Sequence, residues 1–200
     1  AFLDCDDTWM NDKLEKQINI YENNRDLGFV YGKSVYYSEL KNKIVNRQVK
    51  LFEGMVFDEL IKYNFVSFAS AMIDRNKYFE IGGFPSHLKH STDYWVFLKL
   101  ANLYPVKATT SDCCTIRLHD SNLTNKLYLT GVKESIEVLE TFPPSREIDN
   151  AIKRMYSRIG FKFFTQIKPI KFIKIIIKHN LFTTMLVMIF EKFQMKLKIF

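Results

Sequence analysis

The first hydrophobic segments of the chain predict a strand followed by a helix. Residues 1–3 form a short apolar run, which is typical of a buried strand, and this run ends at three carboxylates within residues 4–7. A helix is predicted next, beginning at a cap on Asn11 or Asp12 and ending near residue 24. Its apolar stripe, which we expect to pack on a core, consists of Leu14, Ile18 and Tyr21.

The segments that follow predict an α/β domain. Runs rich in β-branched and aromatic residues mark the expected strands, which are residues 29–31, 34–38, 44–52, 65–73, 106–108 and 112–118. Helical spacing marks the expected helices between them, which are residues 55–63, 75–81 and about 92–103. Gly82 and Gly83 end the second of these helices, because glycine accepts left-handed dihedrals. The domain is predicted to cover residues 1–125.

The last third of the chain predicts helices only. Two helices are expected at residues 131–141 and about 145–167, with a break at Pro143 and Pro144. Beyond them, helical geometry places four lysines within an arc of roughly 120°, namely Lys168, Lys171, Lys174 and Lys178. Residues 181–190 are uncharged, but this run is shorter than the ~20 residues that span a bilayer as a helix. Residues 126–200 are therefore predicted to form a helical, basic extension.

Positive charge is concentrated in this extension. The chain has 29 Lys and Arg against 22 Asp and Glu, a net charge of +7, yet residues 151–200 hold eleven basic residues against one acid, Glu191. The extension could be a helical hairpin packed on the domain. Alternatively, residues 168–200 could form an interfacial helix on an anionic membrane surface, with lysines towards the headgroups. No nucleic-acid motif accompanies the charge, so we expect no nucleic-acid partner.

Cysteine usage and the first residue indicate the setting of the chain. Cys5, Cys113 and Cys114 fit neither a disulfide framework nor a zinc site, which indicates a reducing compartment. The chain begins at Ala1 without a signal-peptide pattern, so we expect residue 1 to lie inside a longer protein.

The acidic run Asp4-Cys5-Asp6-Asp7-Thr8 is the main candidate for chemistry. Like charges this close need a cation, hydrogen-bond donors or full solvation, and a divalent metal ion supplies two charges at once. A solvated acidic turn is the plainest interpretation. The run also fits a phosphatase of the haloacid dehalogenase type, with Asp4 as nucleophile and Asp6 as acid/base. That chemistry needs a later acidic pair for magnesium, and none follows Asp7.

A set of motifs in order favours a different family. Residues 1–9 resemble the middle of the family 2 glycosyltransferases with the GT-A fold, where a strand ends in an Asp-x-Asp-Asp-x-Trp (DXD-type) motif. Later segments follow the order and approximate spacing of that family, namely residues 13–17, 30–32, 70–75, 79–84, 92–101 and 116–119, with Asn122. The resemblance implies a partial GT-A domain, a Rossmann-like nucleotide-diphospho-sugar transferase fold, over about residues 1–125.

The resemblance also implies an activity and a site. The activity is inverting transfer of a sugar from a nucleotide-diphosphate donor to a hydroxyl of a saccharide or lipid-linked acceptor. Asp6, Asp7 and His119 would hold a divalent cation, Mn²⁺ or Mg²⁺, that offsets the charge of the diphosphate. Asp4, Arg117 and His119 would contact the donor, and Asp93 would be the catalytic base. From sequence alone, Asp93 is equally a first-turn helix acid favoured by the macrodipole.

Two departures from the family pattern limit this expectation. Thr92 stands where an acid often precedes the aspartate corresponding to Asp93. The N-terminal half of the family, with its nucleotide-base pocket, would precede Ala1. If residues 1–200 were the whole molecule, we would expect little or no activity, and an upstream segment would reverse this. A role in bacterial surface-polysaccharide synthesis on the cytoplasmic face of the membrane is expected, and the alternative is an inactive remnant or membrane-bound interaction module.

Overall fold

Strands and helices form the N-terminal unit of the chain, Ala1–Tyr128, and helices form the described part of the second unit, Leu129–Phe200. The structure is a computed structural model, and it describes residues 1–24, 26–48, 50–122, 127–165 and 169–183. The mixed α/β order predicted from the sequence is confirmed for the first unit.

A mixed sheet lies at the centre of the first unit. Its strands in the described residues are β1 (Thr8–Trp9), β2 (Phe29–Ser38), β3 (Lys43–Arg47), β4 (Met72–Ile73) and β5 (Val106–Leu118). β2 is central and runs parallel to β5, whose other edge pairs with β1 in antiparallel orientation. On its second edge β2 pairs with β4 near its start and with β3 near its end. The sequence predicted two short strands within residues 29–38 and two within residues 106–118. In the structure each pair is one long strand, β2 or β5.

The core of this unit surrounds the first half of β2. Phe29, Val30 and Tyr31 are each 0% exposed, as expected for a central strand covered on both faces. Gly32 follows where β2 and β5 approach closely. A Cβ atom added at Gly32 would collide with Cys113 Sγ and lie 2.7 Å from Thr109 Cγ2. Only glycine therefore fits this position of the sheet.

The helices agree with most of the sequence predictions. The first unit contains α1 (Lys13–Glu22), α2 (Phe57–Leu60), α3 (Arg75–Glu80) and α4 (Thr92–Leu103). Three more follow, namely α5 (Tyr128–Glu140), α6 (Arg146–Thr165) and α7 (Pro169–His179). Gly82 and Gly83, with φ of 86° and 67°, follow α3 as predicted. α4 covers the predicted range and begins directly after Ser91.

The strand predicted at residues 1–3 is wrong. These residues carry no strand, and Leu3 is 45% exposed. The Phe2 ring instead stacks on Phe68 at 4.6 Å and lies 5.3 Å from the Phe84 ring. The strand of this region is β1, which comes after the acids, because the ladder to β5 begins only at Thr8.

The strand predicted at residues 65–73 is also largely wrong. A 3₁₀ turn (Phe68–Ser70) occupies its middle, and only β4 at its end is extended and paired. Side chains bind the three carbonyls that a longer ladder would have used. Ala69 O accepts from Trp9 Nε1 at 2.8 Å, Ser70 O accepts from Gln17 Nε2 at 2.8 Å, and Ala71 O accepts from Lys13 Nζ at 3.2 Å.

Two of these donors, Lys13 and Gln17, belong to α1, and they give the helix an orientation opposite to the predicted one. Lys13 and Gln17 are each 0% exposed, whereas Leu14 and Ile18 of the expected core stripe are 39% and 46% exposed. Lys13 Nζ also donates to Gln17 Oε1 at 2.8 Å and lies 4.5 Å from the Trp9 ring centroid. The helix therefore places polar groups inward, because they are needed to satisfy buried carbonyls.

The second unit is built from amphipathic helices. α5 buries Val132, Ile136 and Leu139, and Tyr156 of α6 stacks on His179 of α7 at 3.5 Å. In the described part of the chain, none of the helices combines the length and apolarity that a bilayer crossing requires. Part of the predicted basic extension, including Lys168, Lys192, Lys196 and Lys198, lies outside the described residues.

Candidate active site

The register of β1 on β5 brings the acidic run to the end of β5. Thr8 lies opposite Thr115, so the preceding residues 4–7 reach the segment that follows β5. Asp7 Oδ1 accepts a hydrogen bond from the Arg117 backbone N–H at 3.0 Å. Asp6 Oδ2 lies 2.8 Å from His119 Nε2. Residues more than a hundred positions apart thus form one cluster, named here the acidic cluster: Asp4, Asp6, Asp7 and His119.

His119 is held by its own loop. Its Nδ1 lies 2.6 Å from Ser121 Oγ, and its backbone N–H donates to Asn122 Oδ1 at 2.6 Å. Asn122 Nδ2 in turn donates to the Arg117 carbonyl at 3.1 Å. These bonds orient the imidazole towards Asp6. Ser121 and Asn122 were not predicted as site residues, since their role depends on the loop conformation.

The acids of the cluster have opposite pKa shifts. The hydrogen bond from His119 is the main cause that lowers the pKa of Asp6. Partial burial raises the pKa of Asp7, and the charges of Asp6 and Asp4 add to this, against the bond from the Arg117 backbone. Partial burial and then the Asp6 charge raise the pKa of Asp4. The Asp6 charge therefore disfavours the charged forms of Asp4 and Asp7, and the Asp4 charge also disfavours that of Asp7.

The acidic cluster contains carboxylate and imidazole groups, which are types of ligand that bind divalent cations. Within residues 1–24, 26–48, 50–122, 127–165 and 169–183, no three His, Cys, Asp or Glu residues form a group that could hold a metal ion alone. Asp6 and His119 nevertheless present a carboxylate and an imidazole at one point. Mg²⁺ commonly takes one or two protein ligands and completes its shell with phosphate oxygens and waters.

The guanidinium of Arg117 contacts a different acid from the one its backbone contacts. It forms an ion pair with Glu39, the residue after β2, while the backbone N–H binds Asp7. The Arg117 charge still contributes to the lowered pKa of Asp6, although it ranks below the His119 contacts.

Asp93 occupies the second position of α4 and has a desolvated carboxyl. Burial raises the pKa of Asp93 to about 6, although hydrogen bonds from the Tyr94 and Asp93 backbone and from Asn64 oppose the shift. Asn64 Nδ2 donates to Asp93 Oδ2 at 3.2 Å. The charge of Asp4 also contributes to the raised pKa, so Asp93 lies within electrostatic range of the acidic cluster.

Asn64 was not predicted as a site residue. Its Oδ1 accepts from the Val66 N–H at 3.2 Å while its Nδ2 binds Asp93, so the residue is fixed from both ends of the amide. No local sequence signal marks it, because Asn64 reaches Asp93 only through the packing of its loop against α4.

Three hydrogen bonds, named here the platform, join residues 9–17 to the carbonyls of residues 69–71. The donors are Trp9, Lys13 and Gln17. Trp9 and Lys13 follow the acidic run directly, and the carbonyls belong to residues 69–71. Ser67, just before these carbonyls, contacts Tyr36 Oη through its Oγ at 3.2 Å. The platform therefore connects the acidic cluster with the segment that carries Asn64.

Comparisons with known proteins identify the family of the chain. Over 163 residues the chain is 24% identical to the Escherichia coli protein named UDP-Glc:alpha-D-GlcNAc-diphosphoundecaprenol beta-1,3-glucosyltransferase WfgD. The match covers 80% of this chain and 59% of that relative, so the chain spans well under two thirds of the relative's length. The sequence model described as "Glycosyltransferase like family 2" matches residues 1–160, and the chain therefore belongs to the glycosyltransferase-like family 2.

Proposed function

We propose that this chain carries catalytic and donor-binding residues of an inverting glycosyltransferase, which moves a sugar from a nucleotide-diphosphate donor to an acceptor hydroxyl. The observation that carries the proposal is the pairing of two unlike carboxyl environments in one site. Asp93 is desolvated and has a pKa of about 6, and the acidic cluster with its lowered Asp6 pKa lies within its electrostatic range. Groups whose environments separate their pKa values are suited to different roles in one reaction.

Asp93 is proposed as the general base. Its carboxylate would accept the proton of the acceptor hydroxyl, and the hydroxyl oxygen would form a bond to the anomeric carbon. The bond from that carbon to the diphosphate oxygen breaks at the same time, and the diphosphate leaves with the electron pair. A single displacement of this kind inverts the anomeric configuration. A base with a pKa near 6 is deprotonated at neutral pH and still takes up a proton readily.

The acidic cluster is proposed to serve the leaving group. Asp6 and His119 would hold a divalent cation, Mn²⁺ or Mg²⁺, with Asp7 beside them, and such an ion offsets charge that develops on a diphosphate. Asp7 is fixed by the Arg117 backbone, and His119 is fixed by Ser121 and Asn122. Asp4 belongs to the acidic cluster, and its charge also contributes to the raised pKa of Asp93, so we propose that Asp4 contacts the transferred sugar.

The substrate class is proposed from the printed name of the relative. Its printed name describes a UDP-glucose donor and an N-acetylglucosamine diphosphoundecaprenol acceptor. We propose a UDP-sugar donor and a lipid-linked saccharide acceptor for this chain, within surface-polysaccharide synthesis. The haloacid dehalogenase interpretation loses its support, because Asp4 does not end a strand and the chain belongs to another family.

The C-terminal helices are proposed to rest on the inner face of the cell membrane. Lys171, Lys174 and Lys178 of α7 are exposed, and Ile173 and Ile177 beside them are 52% and 74% exposed. A helix that exposes both lysines and isoleucines suits an interface with anionic lipid. Binding to phosphatidylglycerol vesicles should weaken with salt and with Lys171→Glu plus Lys174→Glu. Binding that is indifferent to salt and to lipid charge would contradict this.

Transfer by the full-length protein, with any segment upstream of Ala1 included, tests the catalytic proposal. The assay supplies UDP-glucose, Mn²⁺ or Mg²⁺ and an N-acetylglucosamine diphosphate on a short lipid, and mass spectrometry detects the disaccharide. We expect product that Asp93→Asn abolishes and Asp58→Asn does not, since Asp58 holds the corresponding position in α2 but is exposed. Absence of transfer and of donor hydrolysis would favour an inactive remnant. Phosphate release that Asp4→Asn abolishes would favour the phosphatase.

A further inference from the structure

A groove of about 450 Å³ lies between the β2–β3 hairpin and residues 63–67. It belongs entirely to the first unit of the chain, and the site described above uses one of its lining residues, Asn64. Tyr36 comes from β2 and Asn46 from β3, while Tyr63 and Asn64 come from the opposite wall. The groove therefore ends beside the residue that binds Asp93.

The lining of the groove combines amides with aromatic rings. Asn46, Gln48 and Asn64 offer amide groups, each of which can both donate and accept hydrogen bonds. Tyr36 and Tyr63 add flat apolar faces with hydroxyl tips, and Tyr63 is 45% exposed. A saccharide presents the matching surface, since its hydroxyls donate and accept and its ring carbons form apolar patches.

Gln48 carries an unsatisfied acceptor at this groove. Its Nε2 donates to the Phe65 carbonyl at 2.8 Å, which fixes the side chain against the opposite wall. Its Oε1 is buried and has no hydrogen-bond partner in the described part of the protein. A buried carbonyl oxygen without a donor is costly, so the wall of the groove has an unmet hydrogen-bond requirement at Gln48.

The charge of the groove favours an anionic ligand. Among the described residues that line it, Arg47 and Lys50 are charged and none is an acid. Arg47 is paired with Asp112, so Lys50 supplies most of the uncompensated positive charge. Lys50 Nζ lies 4.5 Å from the centroid of the Phe52 ring, which holds its ammonium near the groove.

Asn64 connects the groove to the proposed base. The Asn64 amide lines the groove and donates to Asp93 Oδ2 at 3.2 Å. A hydroxyl held at this end of the groove would therefore lie close to the carboxylate that is to accept its proton. This is the positioning that makes transfer effectively intramolecular.

We propose that this groove binds the acceptor saccharide as a glycosyl phosphate, with Tyr63 and the amides on the sugar, Lys50 on the phosphate and Asn64 beside the reacting hydroxyl. The inference rests on the proposed transferase function and adds the acceptor subsite to it. It predicts that groove substitutions change acceptor binding and leave donor chemistry intact.

The test measures binding before turnover. Saturation-transfer NMR on the full chain uses α-D-N-acetylglucosamine 1-phosphate as the probe, with inorganic phosphate as a competitor. Tyr63→Ala and Lys50→Ala should each weaken binding about 10-fold, which corresponds to about 1.4 kcal/mol. Lys41→Ala is the matched control, because Lys41 is exposed and does not line the groove. Circular dichroism verifies that each variant is folded.

Kinetics then separate the subsite from the transferase proposal. Where transfer occurs, Tyr63→Ala and Lys50→Ala should raise the acceptor KM about 10-fold and change the donor KM and donor hydrolysis less than about 2-fold. If transfer fails but both variants weaken probe binding, the groove assignment stands and the transferase proposal falls. Absent wild-type binding, equal binding by folded variants, or equal competition by inorganic phosphate would each overturn the groove assignment.

Discussion

Asp6 and Asp93 belong to the same candidate site, and the protein shifts their pKa values in opposite directions. Asp6 is paired with His119 Nε2 at 2.8 Å, and this contact lowers its pKa. Asp93 is desolvated on α4, and burial raises its pKa to about 6 even though Asn64 and backbone N–H groups bind it. One carboxyl is kept charged by a partner, and the other is made basic by the loss of water.

The difference in pKa suits the two regions to separate roles in the proposed transfer. A carboxylate that stays charged suits a cation or a developing diphosphate, whereas a carboxyl with a pKa near neutrality suits proton transfer. The sequence places both aspartates in polar segments that look alike. The regions differ because burial and hydrogen-bond partners differ, and the following predictions test that contrast.

The largest expected effect is that of Asp93→Asn. Without the base, transfer should fall about 10²–10⁴-fold, while donor binding is retained. The raised pKa means that the folded protein binds the Asp93 proton more tightly than the unfolded chain does. Protonation of Asp93 therefore stabilises the fold, and this stabilisation is lost as pH rises through about 6. Asp93→Asn should therefore melt above the wild type at pH 8. Retained activity, or a lower melting temperature at pH 8, would remove the distinction between the two aspartates.

The second largest effect is expected when the acidic cluster loses Asp6 and Asp7. Asp6→Asn together with Asp7→Asn should reduce transfer about 10²–10³-fold and abolish the increase in melting temperature caused by Mn²⁺ with a nucleoside diphosphate. Asp12→Asn is the control, since Asp12 is exposed and paired with Lys16 outside the cluster. A metal-dependent stabilisation that survives the double substitution would refute the cation site.

Lys13→Ala tests the platform that both regions share. The substitution leaves a cavity and removes the donor to Ala71 O and Gln17 Oε1, so we expect a loss of about 3 kcal/mol in the free energy of unfolding. Lys16→Ala, on the exposed side of the same helix, should change it by less than about 0.5 kcal/mol. Urea denaturation measures the free energy of unfolding of both variants. Equal losses would show that the buried Lys13 ammonium stabilises the fold no more than the exposed Lys16 does.

The smallest expected effect is a shift in the pH dependence of kcat, which compares the wild type with Asn64→Ala. Because Asp93 must be deprotonated to accept a proton, kcat should fall about tenfold per pH unit below about 6 and level off above it. Asn64→Ala removes a hydrogen bond that lowers the pKa of Asp93, so the profile should move to higher pH. A profile that Asn64→Ala leaves unmoved would mean that Asn64 does not act through Asp93.

Much of the fold followed from local pattern. α3 and α4, the glycines after α3 and the hairpin-forming strands appear where spacing, caps and β-branched residues indicate them. The errors are at residues 1–3, at residues 65–73 and in the orientation of α1. Each depends on a contact between distant segments, such as Lys13 with Ala71 or Phe2 with Phe68.

The site was predictable to a similar degree. Asp6 and His119 were identified by resemblance, and the register of β1 on β5 brings them together. Asn64 and the groove were not predictable, since an asparagine in a polar loop gives no signal until its partner is known. The candidate site therefore combines an acidic run with a clear local pattern and residues, such as Asn64, that have little local signature of their own.

The sequence by itself determined the residue types, the α/β order and the family to which the chain belongs, because motifs and periodicity are local properties. Only the tertiary structure decided that Asp6 is paired with His119, that Asp93 is desolvated and held by Asn64, and that α1 buries Lys13. The physical reason is that the pKa of a carboxyl and the inward face of a helix depend on burial and partners, which packing between distant segments alone provides.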